Sequence, residues 1–591
     1  MNTSSPLALR RRPWGHFVAI LAVLLALGAA LAAAEWDFAA LTDPDRRAAA
    51  AARIGEWLVA LASPDLSHEF LARAWELTLQ TLSAAILGTA LAVVAAYPLA
   101  MGASRAVCVG EEDARGVWRH FPLRSPRALL CAACRLVQDV LRAVPDFVWA
   151  IILVAMIGLG PLTGALALAL NITGILARVY SELWDGVEET RYAQVRALGA
   201  GRIATFLYGI RPLASRNVLS FTLMRAECAI RNAAVIGAVG GGGLGAEIWY
   251  QIRFGAWDKV GTLILFTLLL TLTADLAANH IRRQLRGDPN RAAASVTWTT
   301  AGHSQSGRAP RAPWWAAAFV SATAVWSVWF MGWGNRDDDG AARNHLAPLG
   351  EFFTGEAWTR LGFFERLLSP QLDAAFVLRV VESASIPLAI ATVGTLLGTA
   401  AAIAINHWHS ASFQWHAPRF TGETPGVLRR SGRAARLVAA RALAMVSRGV
   451  PEVTWAFLFI AFFGPGLVAG TLAIAVHTLG VLARVFGEAV DNLPHRRFEP
   501  IGASPLVLWG TVAAPMAWRD WMTYTFFQFE SNVRAAVVLG LIGVGGLGFE
   551  FAFNFEWFRF ERASTYLLMM VLLTVLIDRG SRMLRLARVG A

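Results

Sequence analysis

Apolar blocks of about 20 residues, each long enough to cross the hydrocarbon of a bilayer as a helix, recur along the whole of this chain. They lie near 16–34, 77–101, 136–158, 162–180, 217–238 and 260–278, and again near 314–333, 384–405, 442–463, 467–486, 522–544 and 564–578. Within a bilayer every backbone N–H and C=O must be satisfied inside its own segment, so blocks of this length form helices. With 56% of 591 residues hydrophobic, the chain carries more apolar length than one soluble core can hide. The sequence predicts an all-α polytopic membrane protein of about 12 transmembrane helices.

The second half repeats the first. RAVPDFVWAIILVAMIGLG, from Arg142 to Gly160, returns as RGVPEVTWAFLFIAFFGPG, from Arg448 to Gly466. ILARVYSE, ending at Glu182, returns as VLARVFGE, ending at Glu488. TLMRAECAIRNAAVIGAVGGGGLG, from Thr222 to Gly245, returns as TFFQFESNVRAAVVLGLIGVGGLG, from Thr525 to Gly548. Six spans per half is an even number, so both halves enter the membrane with the same polarity, as two parallel repeats. The first is expected over 1–282 (core about 75–280) and the second over 313–591 (core about 380–580). The intervening 283–312 is expected to be a cytoplasmic linker, of which 289–312, rich in Ala, Ser, Thr, Gly and Arg, forms a flexible tether.

Arginines orient the spans, because positive charge near helix ends stays on the cytoplasmic side. Arg10 to Arg12, the 102–128 loop, Arg282, Arg283 and Arg286, Arg429 to Arg436, and Arg579 to Arg588 all share one side if both termini are cytoplasmic. The net charge of +12 is thereby explained by topology and does not call for nucleic acid. Segment 16–34 is expected to be an uncleaved first helix.

Several chemistries find no support. Lys259, the one lysine, lacks the glycine-rich spacing that cradles phosphates, so nucleotide hydrolysis cannot be assigned to this polypeptide. Cys131 and Cys134 form a CxxC without a second pair or companion histidines, and are expected to be core cysteines, with no metal site.

Charges inside the apolar blocks are the main candidates for function. Glu227 and Arg231 are four residues apart, as are Glu530 and Arg534, so each pair shares a helix face and can form an intrahelical ion pair. A charge near the bilayer centre costs about 2.5–3.5 kcal/mol on insertion scales, so the pairs should face protein or a watery cavity. They either line or gate a translocation path, with the arginines drawing in an anion, or lock the fifth span to its neighbours. Downstream, Gly242, Gly243, Gly545 and Gly546 predict a hinge or external gate against plain close packing. Arg142 with Pro145, and Arg448 with Pro451, predict a kinked third span whose arginine reaches freed carbonyls or the interface, with a substrate role as the alternative. Trp149 and Trp455 are expected to be packing or aromatic-belt residues and not ligands, and His477, aligned with Asn171, to make an isolated polar packing contact.

After each fourth span, Gly199 is followed thirteen residues later by Pro212, and Gly502 by Pro515. A short helix, a glycine turn and a second helix ending at the proline would form a compact cytoplasmic bracket. This spacing resembles the EAA loop of binding-protein-dependent ABC importer permeases. The RAVPDFVWA and RGVPEVTWA strings, the LARV strings and the E-x-x-x-R segments leading to GGLG resemble the phosphonate-importer permeases more specifically. The glutamate that names the loop would fall at Ala193 and Arg496, so the two brackets depart from the pattern.

The resemblance implies a type I importer permease (MetI-like) fold in which two permease copies, separate subunits elsewhere, are joined in tandem in the bacterial inner membrane. It implies coupling to a cytoplasmic ABC ATPase dimer through Gly199, Ala200, Pro212, Gly502, Ala503 and Pro515. It also implies an external substrate-binding protein and a small anionic substrate such as a phosphonate. No cofactor would be bound by this chain, because ATP and Mg would sit on the ATPase. Other solutes such as phosphate, phosphite or an amino acid, and an ion-gradient-driven secondary transporter, stay open.

Overall fold

The computed structural model describes residues 42–108, 126–286, 314–334, 362–415, 426–493 and 504–589, together with Gly28, Ala32 and Trp36. The expected first span, the tether, Gly502 and Ala503 therefore lie outside or almost outside the described residues. The described elements are helices and turns, with no strand among them.

Helices of ten or more residues are numbered in chain order. The first repeat holds α1 (Pro44–Ala62), α2 (His68–Ala103), α3 (Pro126–Ala143), α4 (Asp146–Ile157), α5 (Pro161–Asp185), α6 (Arg211–Ile236), α7 (Gly243–Phe254) and α8 (Trp257–Arg286). The second holds α9 (Trp314–Trp329), α10 (Ala374–His409), α11 (Val427–Gly449), α12 (Glu452–Phe463), α13 (Leu467–Asp491), α14 (Ala514–Leu539), α15 (Leu547–Glu556) and α16 (Phe560–Val589). Matched helices agree in length: α2 and α10 have 36 residues each, α5 and α13 25, and α6 and α14 26. The duplication seen in the letters is a duplication of structure.

Among the described residues six helices are long and apolar enough to cross a membrane, and up to nine spans result if each of three bent pairs counts as one. The third spans, expected to be kinked single helices, depart most: each is broken into two helices. α3 meets α4, and α11 meets α12, at 90°. Val144 and Val450, each before a proline, are pushed out of the helical region, and Pro145 and Pro451 offer no N–H, so the helix stops and a new one starts. The corner exposes carbonyls to an apolar setting. Trp149 Nε1 donates to the Leu141 carbonyl at 3.4 Å, and Trp455 Nε1 to the Ser447 carbonyl at 3.1 Å. These tryptophans are corner braces as well as packing groups. Replacing Trp149 by Phe is expected to keep an aromatic ring at the corner but remove the donor, lowering stability by about 1–3 kcal/mol for the unmet acceptor alone, read as a lower melting temperature of the purified chain.

A contiguous apolar core draws side chains from both repeats. α9 packs beside α2 of the first repeat, with Ser327 Oγ donating to the Ser83 carbonyl at 2.6 Å. Trp249 of α7 stacks on Phe457 of α12, with ring centroids 4.3 Å apart. On α1, Trp57 meets Phe462 edge-on. The repeats are thus interleaved, and charged residues on the seam between them have partners across it.

Candidate functional site

α5 fixes the depth of each feature. At its start Gly160 N donates to the Gly240 carbonyl at 2.9 Å, which ties the α4–α5 turn to the glycine loop after α6. At its end Asp185 accepts from Ser104 Oγ at 2.7 Å and from Ala106 N at 3.1 Å. Close by, Arg202 of the Gly199 elbow donates to the Cys108 carbonyl at 2.8 Å. The bundle therefore has a glycine-loop end and an elbow end. Arg178, seventeen residues along α5, lies roughly 26 Å from the glycine-loop end at 1.5 Å per residue.

The expected intrahelical pairs are present and unequal. Arg534 Nη1 lies 3.1 Å from Glu530 Oε1, whereas Arg231 Nη2 lies 3.9 Å from Glu227 Oε1. Both glutamates are buried, and each also faces an arginine of the opposite repeat. Arg142 Nη1 is 3.9 Å from Glu530 Oε1, and Arg448 Nη1 is 3.8 Å from Glu227 Oε1.

The shortest contacts on the seam involve two aspartates that reading along the chain passes over. Arg142 Nη2 donates to Asp578 Oδ2 on α16 at 2.6 Å, and Arg178 Nη1 stands 3.8 Å from the same oxygen. Reciprocally, Arg448 Nη2 donates to Asp275 Oδ2 on α8 at 2.5 Å, and Arg484 Nη1 donates to Asp275 Oδ1 at 3.1 Å. Each carboxylate is thus gripped by two guanidiniums from the other repeat. The arginines are 12–13% exposed at Arg142 and Arg448, so the pairs are largely shielded from solvent, where a lone charge would be costly. The Arg142 and Arg448 guanidiniums thus meet carboxylates across the seam, where the sequence suggests freed carbonyls or the interface.

Close backbone approach makes this geometry reachable. Gly174 of α5 abuts Arg142 N, and Gly480 of α13 abuts Arg448 N; a Cβ at either would overlap the corner backbone. With no side chain between them, the arginine-bearing corner lies directly against the helix that carries Arg178 or Arg484. The pattern has the reciprocity of an isologous contact, in which residue i meets j and j meets i.

The reciprocity is incomplete. Asp139 Oδ1 accepts from Arg178 at 2.7 Å and from Arg142 at 3.3 Å, and Met445 holds the matching place in α11. Asn171 Nδ2 donates to the Val144 carbonyl at 3.0 Å, whereas His477 Nε2 lies 3.7 Å from Glu452 Oε2. His477 is therefore beside a carboxylate and not in an isolated packing contact. Asn232 Nδ2 donates to Asp146 Oδ2 at 2.8 Å, and Ala535 takes its place in α14.

The glycine loops are broken helix. α6 ends in a widened turn over Gly237–Gly241 and α14 in one over Gly540–Val544. Gly242, Gly243, Gly545 and Gly546 then take φ of +69°, +72°, +98° and +82°. These left-handed values reverse the chain into α7 and α15.

At the elbow, Gly199 has φ +78° and follows a short helix at Ala193–Ala197. The expectation that the next helix stops at the proline is corrected. From Arg202 it runs on through a widened turn at Phe206–Ile210 into α6, and Pro212 sits in the first turn of α6. The i→i+5 turn removes the need for an N–H at that point, which is why proline is accommodated. Pro515 follows an identical turn at Trp509–Ala513. Ala200 lies beside Gly199 in the turn, while Gly502 and Ala503 fall outside the described residues.

Cys131 is buried and its Sγ donates to the Ala103 carbonyl at 3.2 Å. Among the described residues no three His, Cys, Asp or Glu side chains converge as a metal site would require.

An interleaved pair of helical repeats with a charged seam, broken helices at one end and elbows at the other, defines an integral-membrane transport component. The family of binding-protein-dependent transport system inner membrane components matches over residues 124–287. The "Phosphate-import permease protein PhnE" of Mycolicibacterium smegmatis is 26% identical over 519 residues, which is 87% of this chain and 85% of that protein. The "Putative phosphite transport system permease protein HtxC" of Stutzerimonas stutzeri is 28% identical, covering 48% of this chain and 90% of its own length. The "Putative cryptic phosphonate transport system permease protein PhnE2" of Escherichia coli K12 is 30% identical over 20% of this chain and 97% of its own length. No solved structure matches. The chain belongs to the family of binding-protein-dependent transport system inner membrane components. It is a multi-pass inner-membrane permease and not an enzyme.

Proposed function

We propose that this chain is the tandem-fused permease of an ABC importer that carries a phosphorus oxyanion, such as phosphonate, phosphite or phosphate, across the inner membrane. The observation that carries this reading is the seam, where buried arginines of one repeat meet carboxylates of the other. Such a seam offers a small anion guanidinium partners in a region from which water is largely excluded. The names of the relatives, all concerned with phosphorus oxyanions, support the substrate class.

In this reading the first repeat covers 1–282 and the second 313–591, with both termini cytoplasmic. Glu227, Arg231, Glu530 and Arg534 line the path, and the loops at Gly242, Gly243, Gly545 and Gly546 close its outer end. An external binding protein delivers ligand there. A cytoplasmic ATPase dimer engages the elbows at Gly199, Ala200 and Pro212 and at Gly502, Ala503 and Pro515. It supplies the energy from ATP and Mg.

The test is uptake of labelled phosphite, phosphate and methylphosphonate into inside-loaded vesicles carrying the chain with its partners, with ATP compared against an imposed proton gradient. ATP-driven uptake of one of the three is expected; uptake driven by the proton gradient alone overturns the reading. Gly199→Val should separate coupling from folding. No atom stands within 4 Å of the place of its Cβ, so the cost is the left-handed φ alone, about 1–2 kcal/mol. Uptake is expected to fall severalfold while membrane abundance stays near wild type.

A further inference from the structure

We propose that Arg142 with Arg178, and Arg448 with Arg484, are two transient oxyanion-binding sites, each held shut by an aspartate of the opposite repeat and each opened when the repeats part. The inference rests on the reading of this chain as an importer for phosphorus oxyanions and assigns the place where such an anion is held in transit.

The geometry of the second-repeat pair is the clearer. Asp275 presents one carboxylate oxygen to Arg448 at 2.5 Å and the other to Arg484 at 3.1 Å. Two forked donors converging on two oxygens of one planar anion is an anion site by construction, filled from within. A tetrahedral phosphorus oxyanion offers the same pair of oxygens. The first-repeat pair is looser: Arg142 at 2.6 Å and Arg178 at 3.8 Å both approach the one oxygen Asp578 Oδ2, and Arg178 donates to Asp139 at 2.7 Å.

The origin of each acid gives the sites their switch. Because Asp275 and Asp578 belong to the repeat facing the arginines they neutralise, any movement that separates the repeats withdraws the acid and leaves two guanidiniums together. An arriving oxyanion restores the charge balance that the departing carboxylate removes, and closing the seam reverses the exchange. Binding of the anion and motion of the repeats are thus coupled through one set of side chains.

The two sites are not equal. Asp139 stays beside Arg142 and Arg178 when Asp578 leaves, whereas Met445 holds that place beside Arg448 and Arg484. Glu182 and Glu488, which contact Arg178 and Arg484 at 3.0 Å each, are matched and exposed, so they do not distinguish the sites. The Arg448 site should therefore hold an anion more tightly.

Equilibrium binding of ³²P-labelled inorganic phosphate to the purified full chain in lipid nanodiscs, at fixed ionic strength, tests this. Asp275→Asn should give saturable phosphate binding at least about tenfold tighter than wild type, and Asp578→Asn a weaker gain. Adding Arg484→Gln to Asp275→Asn should abolish it. Failure of both Asn variants to bind phosphate while eluting as wild type does, or binding that survives Arg484→Gln, overturns the proposal. Where an Asn variant does not insert, Asp275→Glu and Asp578→Glu keep the charge but displace it by one methylene, and should bind phosphate partially. Glu variants that insert and bind none also overturn it. A wild-type chain that transports no phosphorus oxyanion sinks the functional reading. One that transports such an anion while the variants bind none sinks this inference alone.

Discussion

Arg142→Glu is expected to remove most of the folded permease from the membrane, and Asp578→Arg added to it to bring a large part back. The single change sets a carboxylate toward three others, Asp578, Asp139 and Glu530, which the Arg142 guanidinium meets at 2.6–3.9 Å in a region shielded from solvent. Breaking one side of such a buried pair costs about 3–5 kcal/mol, a large fraction of what holds a domain together. The double exchange restores opposite charges across the seam, so the two effects should be strongly non-additive. Thermal melting of the detergent-solubilised chain, followed by size-exclusion chromatography, reads both quantities. Additive losses would mean that α3 and α16 do not meet in the membrane, and the interleaved arrangement would have to be abandoned.

The second large effect is expected at Gly245 and Gly548. A Cβ at Gly245 would fall on the Ala234 carbonyl, and one at Gly548 on the Val537 carbonyl, where the short helices α7 and α15 turn back against α6 and α14. A backbone oxygen cannot rotate away as a side chain can, so Gly245→Val and Gly548→Val should each cost at least the upper part of the about 1–3 kcal/mol range for overpacking. Abundance and melting temperature should fall together. Gly545 makes the contrast, since nothing stands within 4 Å of its Cβ position and only its φ of +98° resists a side chain. Gly545→Ala should insert near normally and slow uptake. If Gly245→Val were as abundant as wild type, the close packing of these helices would not hold in the membrane.

How far the sequence discloses this depends on whether a partner is local. α2, α5, α8 and their counterparts are legible because 21 to 36 residues of apolar helix leave no alternative in a bilayer. The block 136–158 misleads because hydropathy averages over position and is blind to direction. The residues Val144 and Pro145 announce a break, but its 90° depends on Gly174 lying against the corner. The Glu227–Arg231 and Glu530–Arg534 pairs are visible because four residues make one helix face. Asp275 and Asp578 are not, because each stands alone in its apolar run and its arginines are 173 and 436 residues away. One signal was present: these aspartates fall in the same register between repeats as Glu227 and Glu530. For a lone acid in a duplicated membrane helix, a matching lone acid in the copy is reason to seek a cation in the facing half.

The place of Met445 opposite Asp139 has a consequence for how such a protein can change over time. When two identical subunits assemble, every alteration is imposed twice, and a charge gained on one side of the axis is gained on the other. A polypeptide that encodes both sides fixes their ratio at one to one and forbids pairing of like with like. Mutations can then accumulate independently in each half, and the covalent join permits a division of labour that a homodimer cannot evolve.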